Sequence, residues 1–116
     1  MKSAQEQHDE MLRAWINALK SREFTNIAAD LPEYSVKPES IGGKIPDLTA
    51  SSPDVGPAIG EVKTEDDIDN EHTKDQLASY IRTNRLVMIL VPKSKFGLAK
   101  QKLSEWGFIK VEPWYC

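Results

Sequence analysis

The chain has 116 residues, 40% of them hydrophobic and 28% charged, with a net charge of −3, a balance that suits one globular domain with its own modest core. No apolar run approaches the ~20 residues needed to span a bilayer, so no membrane is expected as a partner. The single cysteine, Cys116, excludes an internal disulfide. The first residues lead into a polar helix without the apolar segment of a secretory signal, and a cytoplasmic location is the expectation. The charge is uneven: residues 61–75 carry a net −5 and residues 82–116 a net +5. A basic C-terminal third is suited to phosphates, although each lysine taken singly reads as a solvated side chain.

In chain order, residues 3–21 predict a helix, with Ala4, His8, Met11, Leu12, Trp15, Ala18 and Leu19 at helical spacing. Ser3 and Glu6 have the form of a capping box. His8 lies on the apolar stripe and reads as a packing histidine. Residues 24–30 predict a short strand. Residues 31–43 form the longest irregular stretch, with Pro32, Pro38 and the pair Gly42-Gly43. Such a loop is often functional, and Tyr34, Lys37 and Lys44 are candidates for stacking on a base or touching phosphate. An inert linker is the equal alternative.

Residues 44–50 and 58–64 predict two antiparallel strands around the turn residues 52–57. A symmetric hairpin centred on Asp54 sets Asp47 opposite Glu61, and Glu61 and Lys63 share one face of their strand. Two carboxylates suit a hard divalent cation. An ammonium beside them can hold a phosphate oxygen or orient water, a set fitted to metal-assisted phosphodiester hydrolysis. The structural alternative is that Asp47 caps a turn while Glu61 and Lys63 form a surface pair. Against it, charges within a central strand are costly unless paired or metal-bound.

The acidic stretch 64–70 lacks the glycine and ligand spacing of a calcium loop. Asp69 or Asn70 can cap the helix predicted over 71–83. On that helix Gln76 and Tyr80 are four apart and share a face. Arg82 and Arg85 follow at its end, where they can stabilise the dipole or hold a phosphate. Residues 86–91, Leu-Val-Met-Ile-Leu-Val, form the plainest strand, apolar enough for burial on both faces. A third helix is expected over 94–105 and a last, edge strand over 108–111, followed by an aromatic tail. No Walker-type glycine loop or histidine cluster is present.

Pro46-Asp47, Glu61-Val62-Lys63 and then Gln76-x-x-x-Tyr80 on the following helix resemble the PD-(D/E)xK nuclease superfamily and its exonuclease-like branch. The resemblance covers nearly the whole chain as a minimal core. It implies an α/β, restriction-endonuclease-like fold in the order α-β-β-β-α-β-α-β, with helices flanking a central mixed sheet. It implies a metal-dependent nuclease that takes Mg2+ or Mn2+ and acts on nucleic acid, with DNA as the expected substrate. Asp47, Glu61 and the carbonyl of Val62 would hold the metal. A first-helix glutamate, Glu10 before Glu6, would join them. Lys63 would orient or activate water, supported by Gln76 and Tyr80. Tyr34, Lys37, Lys44, Arg82 and Arg85 are the candidate nucleic-acid contacts. The chain has no separate recognition domain, so a homodimer or a specificity partner is expected. The alternative from another class is a nuclease-like binding or assembly subunit without catalysis.

Overall fold

The computed structural model describes residues 2–116. The chain builds helix α1 (Ala4–Ser21), strands β1 (Thr25–Ala29), β2 (Leu48–Ser52) and β3 (Gly56–Val62), helix α2 (Glu71–Ile81), strand β4 (Leu86–Val91), a 3₁₀ turn (Lys93–Lys95), helix α3 (Phe96–Glu105) and strand β5 (Glu112–Tyr115). It is an α/β fold on a five-stranded mixed sheet ordered β1-β2-β3-β4-β5. The first three strands are antiparallel and β3, β4 and β5 run parallel. No helix among the described residues is long and apolar enough to cross a membrane.

Local chemistry sets the helix starts. Ser3 accepts a hydrogen bond from the Glu6 N–H at 3.1 Å, and Glu6 accepts one from the Ser3 N–H at 3.3 Å, so the capping box closes α1. Asn70 caps α2 by accepting from the Thr73 N–H at 2.8 Å. The hairpin register is symmetric about Asp54, with Leu48 opposite Gly60 and Ala50 opposite Ala58.

The period of two along the strands sorts the core into two layers. Ala58 and Val62 of β3 and Met88 and Leu90 of β4 face Leu12, Trp15, Ile16 and Leu19 of α1. Ile59 and then Val87, Ile89 and Val91 face the other way, toward Leu77 and Tyr80 of α2 and Ala99 and Leu103 of α3. Thus β4 is buried on both faces, as its apolar run predicts. Gly60 meets α1 at close range: a Cβ there would lie 2.8 Å from Trp15 Cη2 and 2.9 Å from Leu48 Cγ.

Four expectations need correction. The 3₁₀ turn at Lys93–Lys95 is an extra element before α3, which starts at Phe96 rather than Ser94. The hairpin strands are shifted toward the turn, leaving Asp47 one residue before β2 instead of inside it. The second helix ends at Ile81, with Arg82 as its C-cap. Residues 108–111 do not form the last strand. Phe108 and Val111 turn inward onto the α2–α3 layer, the Val111 N–H donates to the Phe108 carbonyl at 3.2 Å, and Ile109 is 86% exposed. The edge strand is the expected tail itself. Pro113, which has no N–H, is tolerated there because an edge strand has one unpaired side.

Candidate active site

The site forms at the C-terminal end of β3, the middle strand of five. Here β3 runs past its antiparallel partner, and the Asp47 side chain takes over from the ladder: Asp47 Oδ2 accepts the Val62 N–H at 2.7 Å. The hairpin register, with Leu48 opposite Gly60, brings Asp47 to the Glu61 end of β3, and the two carboxyl groups feel each other's charge. Glu61 is 3% exposed and Lys63 8%, so these charges lie inside the protein.

The α2 face completes the cluster. The Tyr80 hydroxyl donates to Glu61 Oε1 at 2.8 Å. Lys63 Nζ donates to Gln76 Oε1 at 2.5 Å and stands 3.9 Å from Glu61 Oε2. Gln76 and Tyr80 share the buried face of α2 because they are one turn apart. Glu61, Lys63, Gln76 and Tyr80 therefore each have a polar partner within the cluster, which offsets the cost of their burial.

One residue enters that sequence reading did not assign to the site. His8, on α1, places Nε2 3.1 Å from Asp47 Oδ2 and Nδ1 3.3 Å from Asp9 Oδ1. Its position on the apolar stripe of α1 was the available signal: that stripe faces the sheet, and His8 sits where the stripe passes the Asp47 end of β2. Asp47 Oδ2 thus receives both His8 and the Val62 N–H.

The electrostatics follow from burial and this pairing. His8 is pushed up to about 9, because its hydrogen bond to Asp47 outweighs the opposing effect of burial. Burial alone would raise Asp47, but the hydrogen bond and charge of His8 and the Val62 N–H hold it below its usual range. Burial pushes Glu61 up to about 8, with the Asp47 charge adding and Lys63 and the Tyr80 hydrogen bond opposing. Burial first, and the Glu61 charge next, raise the Tyr80 hydroxyl as well.

These shifts have a stability consequence. His8 and Glu61 both bind protons more tightly folded than unfolded, so each loses stabilising effect as pH rises from its unfolded to its folded pKa. For Glu61 that window runs from 4.5 to about 8 and for His8 from 6.5 to about 9. Thermal melts in EDTA should show the metal-free protein losing a few kcal/mol between pH 6 and pH 9. A flat profile over that range would contradict the pairing.

The remaining candidates lie elsewhere. Glu10 is exposed and accepts both of its bonds, at 2.7 Å, from Lys2, and Glu6 is occupied by the capping box. Glu10 does line a cleft of about 370 Å³ beside the site, with Thr64, Glu65, Pro92 and Cys116. Tyr34 packs against the α1 layer with Lys20 Nζ 5.9 Å from its ring, and Lys37 donates to the Leu31 carbonyl. Lys44 closes a tight turn through a bridge to Ile41, with Gly42 and Gly43 at φ +61° and +79°. Arg85 pairs with Glu39 at 2.6 Å, and Arg82 is exposed at the α2 end. None of these five basic or aromatic residues makes a hydrogen bond or ion pair with the Asp47–Glu61–Lys63 cluster.

Among the described residues, no three or more His, Cys, Asp and Glu side chains form a ready-made metal cage. The donor set nonetheless fits a divalent cation. Two carboxyl groups share one buried spot, and one of them is driven toward its neutral form by burial and by the other's charge, a cost a cation would remove. No family model matches the chain, and no curated protein or solved structure matches it.

Proposed function

We propose that this protein is a divalent-metal-dependent nuclease that hydrolyses phosphodiester bonds in DNA, on a restriction-endonuclease-like core. The observation that carries the reading is a single one. Asp47, Glu61, Lys63, Gln76 and Tyr80, spread over 34 residues of sequence, form one buried polar cluster at the end of the central strand. A structural role alone gives no reason to gather two carboxyls and an ammonium at the end of a central strand, since replacing such groups by apolar ones is commonly neutral or stabilising.

In this reading Asp47, Glu61 and the Val62 carbonyl hold Mg2+ or Mn2+. His8 is the α1 side chain that reaches the site, where its Nε2, 3.1 Å from Asp47 Oδ2, orients that carboxylate. A bound divalent cation supplies a Lewis acid and a water of lowered pKa. The chain's own groups do the rest. Lys63 presents its ammonium to a phosphate oxygen or to the attacking water, and stabilises the negative charge that develops on the phosphate. Gln76 holds Lys63 Nζ in place through its amide oxygen, and the Tyr80 hydroxyl fixes the Glu61 carboxyl by its hydrogen bond. Burial of Glu61, Lys63, Gln76 and Tyr80 keeps the cluster preorganised.

The experiment is a manganese titration followed by thermal melting at pH 8. Binding to the folded state at 100 times Kd stabilises by about 2.7 kcal/mol. Wild type should shift upward by roughly 10 °C, and Asp47→Ala should not respond. A wild-type melting temperature indifferent to millimolar manganese and magnesium would remove the metal from the proposal.

A further inference from the structure

The free edge of β5 carries a second set of groups that the cleavage reading does not use. Successive residues of a strand point to opposite faces, so Trp114 and Tyr115 display one ring on each side of this edge. Each ring is paired with cations. Arg22 Cζ lies 4.7 Å from the Trp114 ring centre. Lys93 Nζ lies 5.9 Å from the Tyr115 ring, Phe96 meets Tyr115 edge-on at 4.9 Å, and Lys100 Nζ lies 5.0 Å from the Phe96 ring. A groove of about 410 Å³ runs along the edge, lined by Arg22, Phe96, Glu112, Pro113, Trp114 and Tyr115.

Two properties select the occupant. The Tyr115 ring is available, 51% exposed, with half-buried Phe96 edge-on beside it, whereas Trp114 packs back against Trp15 on the α1 layer. The charge is positive: among the described residues Arg22, Lys93 and Lys100 make no ion pair, and Glu112 is the one acidic side chain lining the groove. An exposed ring with a second beside it, set among unpaired cations, fits a polyanion with accessible flat bases, and base–aromatic stacking with phosphate contacts is how single strands are held. A duplex hides its base faces. A second copy of the chain would bring like charges together.

The edge is also joined to the site. The Cys116 N–H donates to the Val91 carbonyl and the Lys93 N–H to the Cys116 carbonyl. Pro92 and Cys116 then line the cleft that Thr64, next to Lys63, borders. One strand end, β4, serves both, since the Lys63 N–H donates to the Leu90 carbonyl at 2.9 Å.

We infer that the β5 edge is a binding platform for single-stranded DNA, with Tyr115 and Phe96 stacking on bases and Lys93, Lys100 and Arg22 holding phosphates. Its service as the substrate path to Lys63 rests on the nuclease reading, but its binding of a strand does not require catalysis. The test is fluorescence anisotropy in EDTA, with labelled oligothymidylate of about 15 nucleotides, roughly one or two site lengths, beside a hairpin duplex of the same charge. The single strand should bind more tightly than the duplex. Tyr115→Leu should weaken it by about tenfold with an unchanged melting temperature. Lys93→Gln with Lys100→Gln, both at exposed positions, should lower the salt slope by about 1.4. Equal affinity for duplex, an unchanged affinity in Tyr115→Leu, an unchanged salt slope, or a wild-type dimer that Tyr115→Leu dissociates would each overturn the platform. Strand binding without cleavage of any substrate would uphold the platform while removing the nuclease.

Discussion

Glu61→Gln should make the metal-free protein more stable at pH 8–9 and inactive as a nuclease. The wild-type carboxyl is buried beside Asp47 and is pushed up to about 8. Near and above that pH the folded state must either hold a proton that solvent would remove or carry a desolvated charge. Glutamine keeps the shape without that cost. Its oxygen can still accept the Tyr80 hydroxyl, which now donates at 2.8 Å, and its amide can donate to Asp47. The expected gain is about 1–3 kcal/mol, on the scale seen when buried charges are replaced. It should shrink toward pH 5, where the wild-type carboxyl is itself protonated. Melts in EDTA at pH 5 and pH 8.5 measure it. Cleavage should fall by about 10²–10³-fold or more, because the group lost is one aimed at the reacting charge. Lost stability with retained cleavage would assign Glu61 a structural role instead.

Gly60→Ala should cost about 3 kcal/mol, the upper range for overpacking a close-packed core, and lower the melting temperature by about 10 °C. The added Cβ would meet Trp15 at 2.8 and 2.9 Å and Leu48 at 2.9 Å. Both are among the fully buried side chains, so neither can swing aside into solvent. The relief open to the protein is to push α1 away from β3. Because α1 carries His8 and β3 carries Glu61, that shift should also weaken manganese binding. Chemical denaturation and the manganese titration, run on the same sample, check both effects. Wild-type stability in Gly60→Ala would mean that α1 does not press on the sheet as described.

Much of this arrangement was legible in the residues. The turn cluster around Asp54 predicts a symmetric hairpin, and a symmetric hairpin is enough to set Asp47 against Glu61. The one-turn spacing of Gln76 and Tyr80 predicts their shared face, and the unbroken apolar run of β4 predicts burial on both sides. What escaped depends on tertiary placement. His8 was indistinguishable from a packing residue because helical periodicity tells which face is inward but not what lies beneath each position. Glu10 has the right charge on the right helix but lies one step off that face, where Lys2 takes it. Phe108–Val111 has the composition of a strand and Pro113 does not, so local propensity alone predicts the last strand one segment too early. Phe108 and Val111 instead find burial through a turn, and the edge of the sheet tolerates the proline. In the loop, Tyr34 is tied to α1, a contact between segments that no local pattern encodes, and Lys37 turns back onto the Leu31 carbonyl of its own loop.

The most direct measurement is a cleavage assay with the purified protein on single-stranded, linear duplex, supercoiled and four-way-junction DNA, in magnesium, manganese or EDTA, beside Lys63→Ala. The account predicts scission that requires the metal and disappears in Lys63→Ala, with the preferred substrate defining the branch of activity. Absence of scission on every substrate, together with a melting temperature that manganese leaves unmoved, would contradict it.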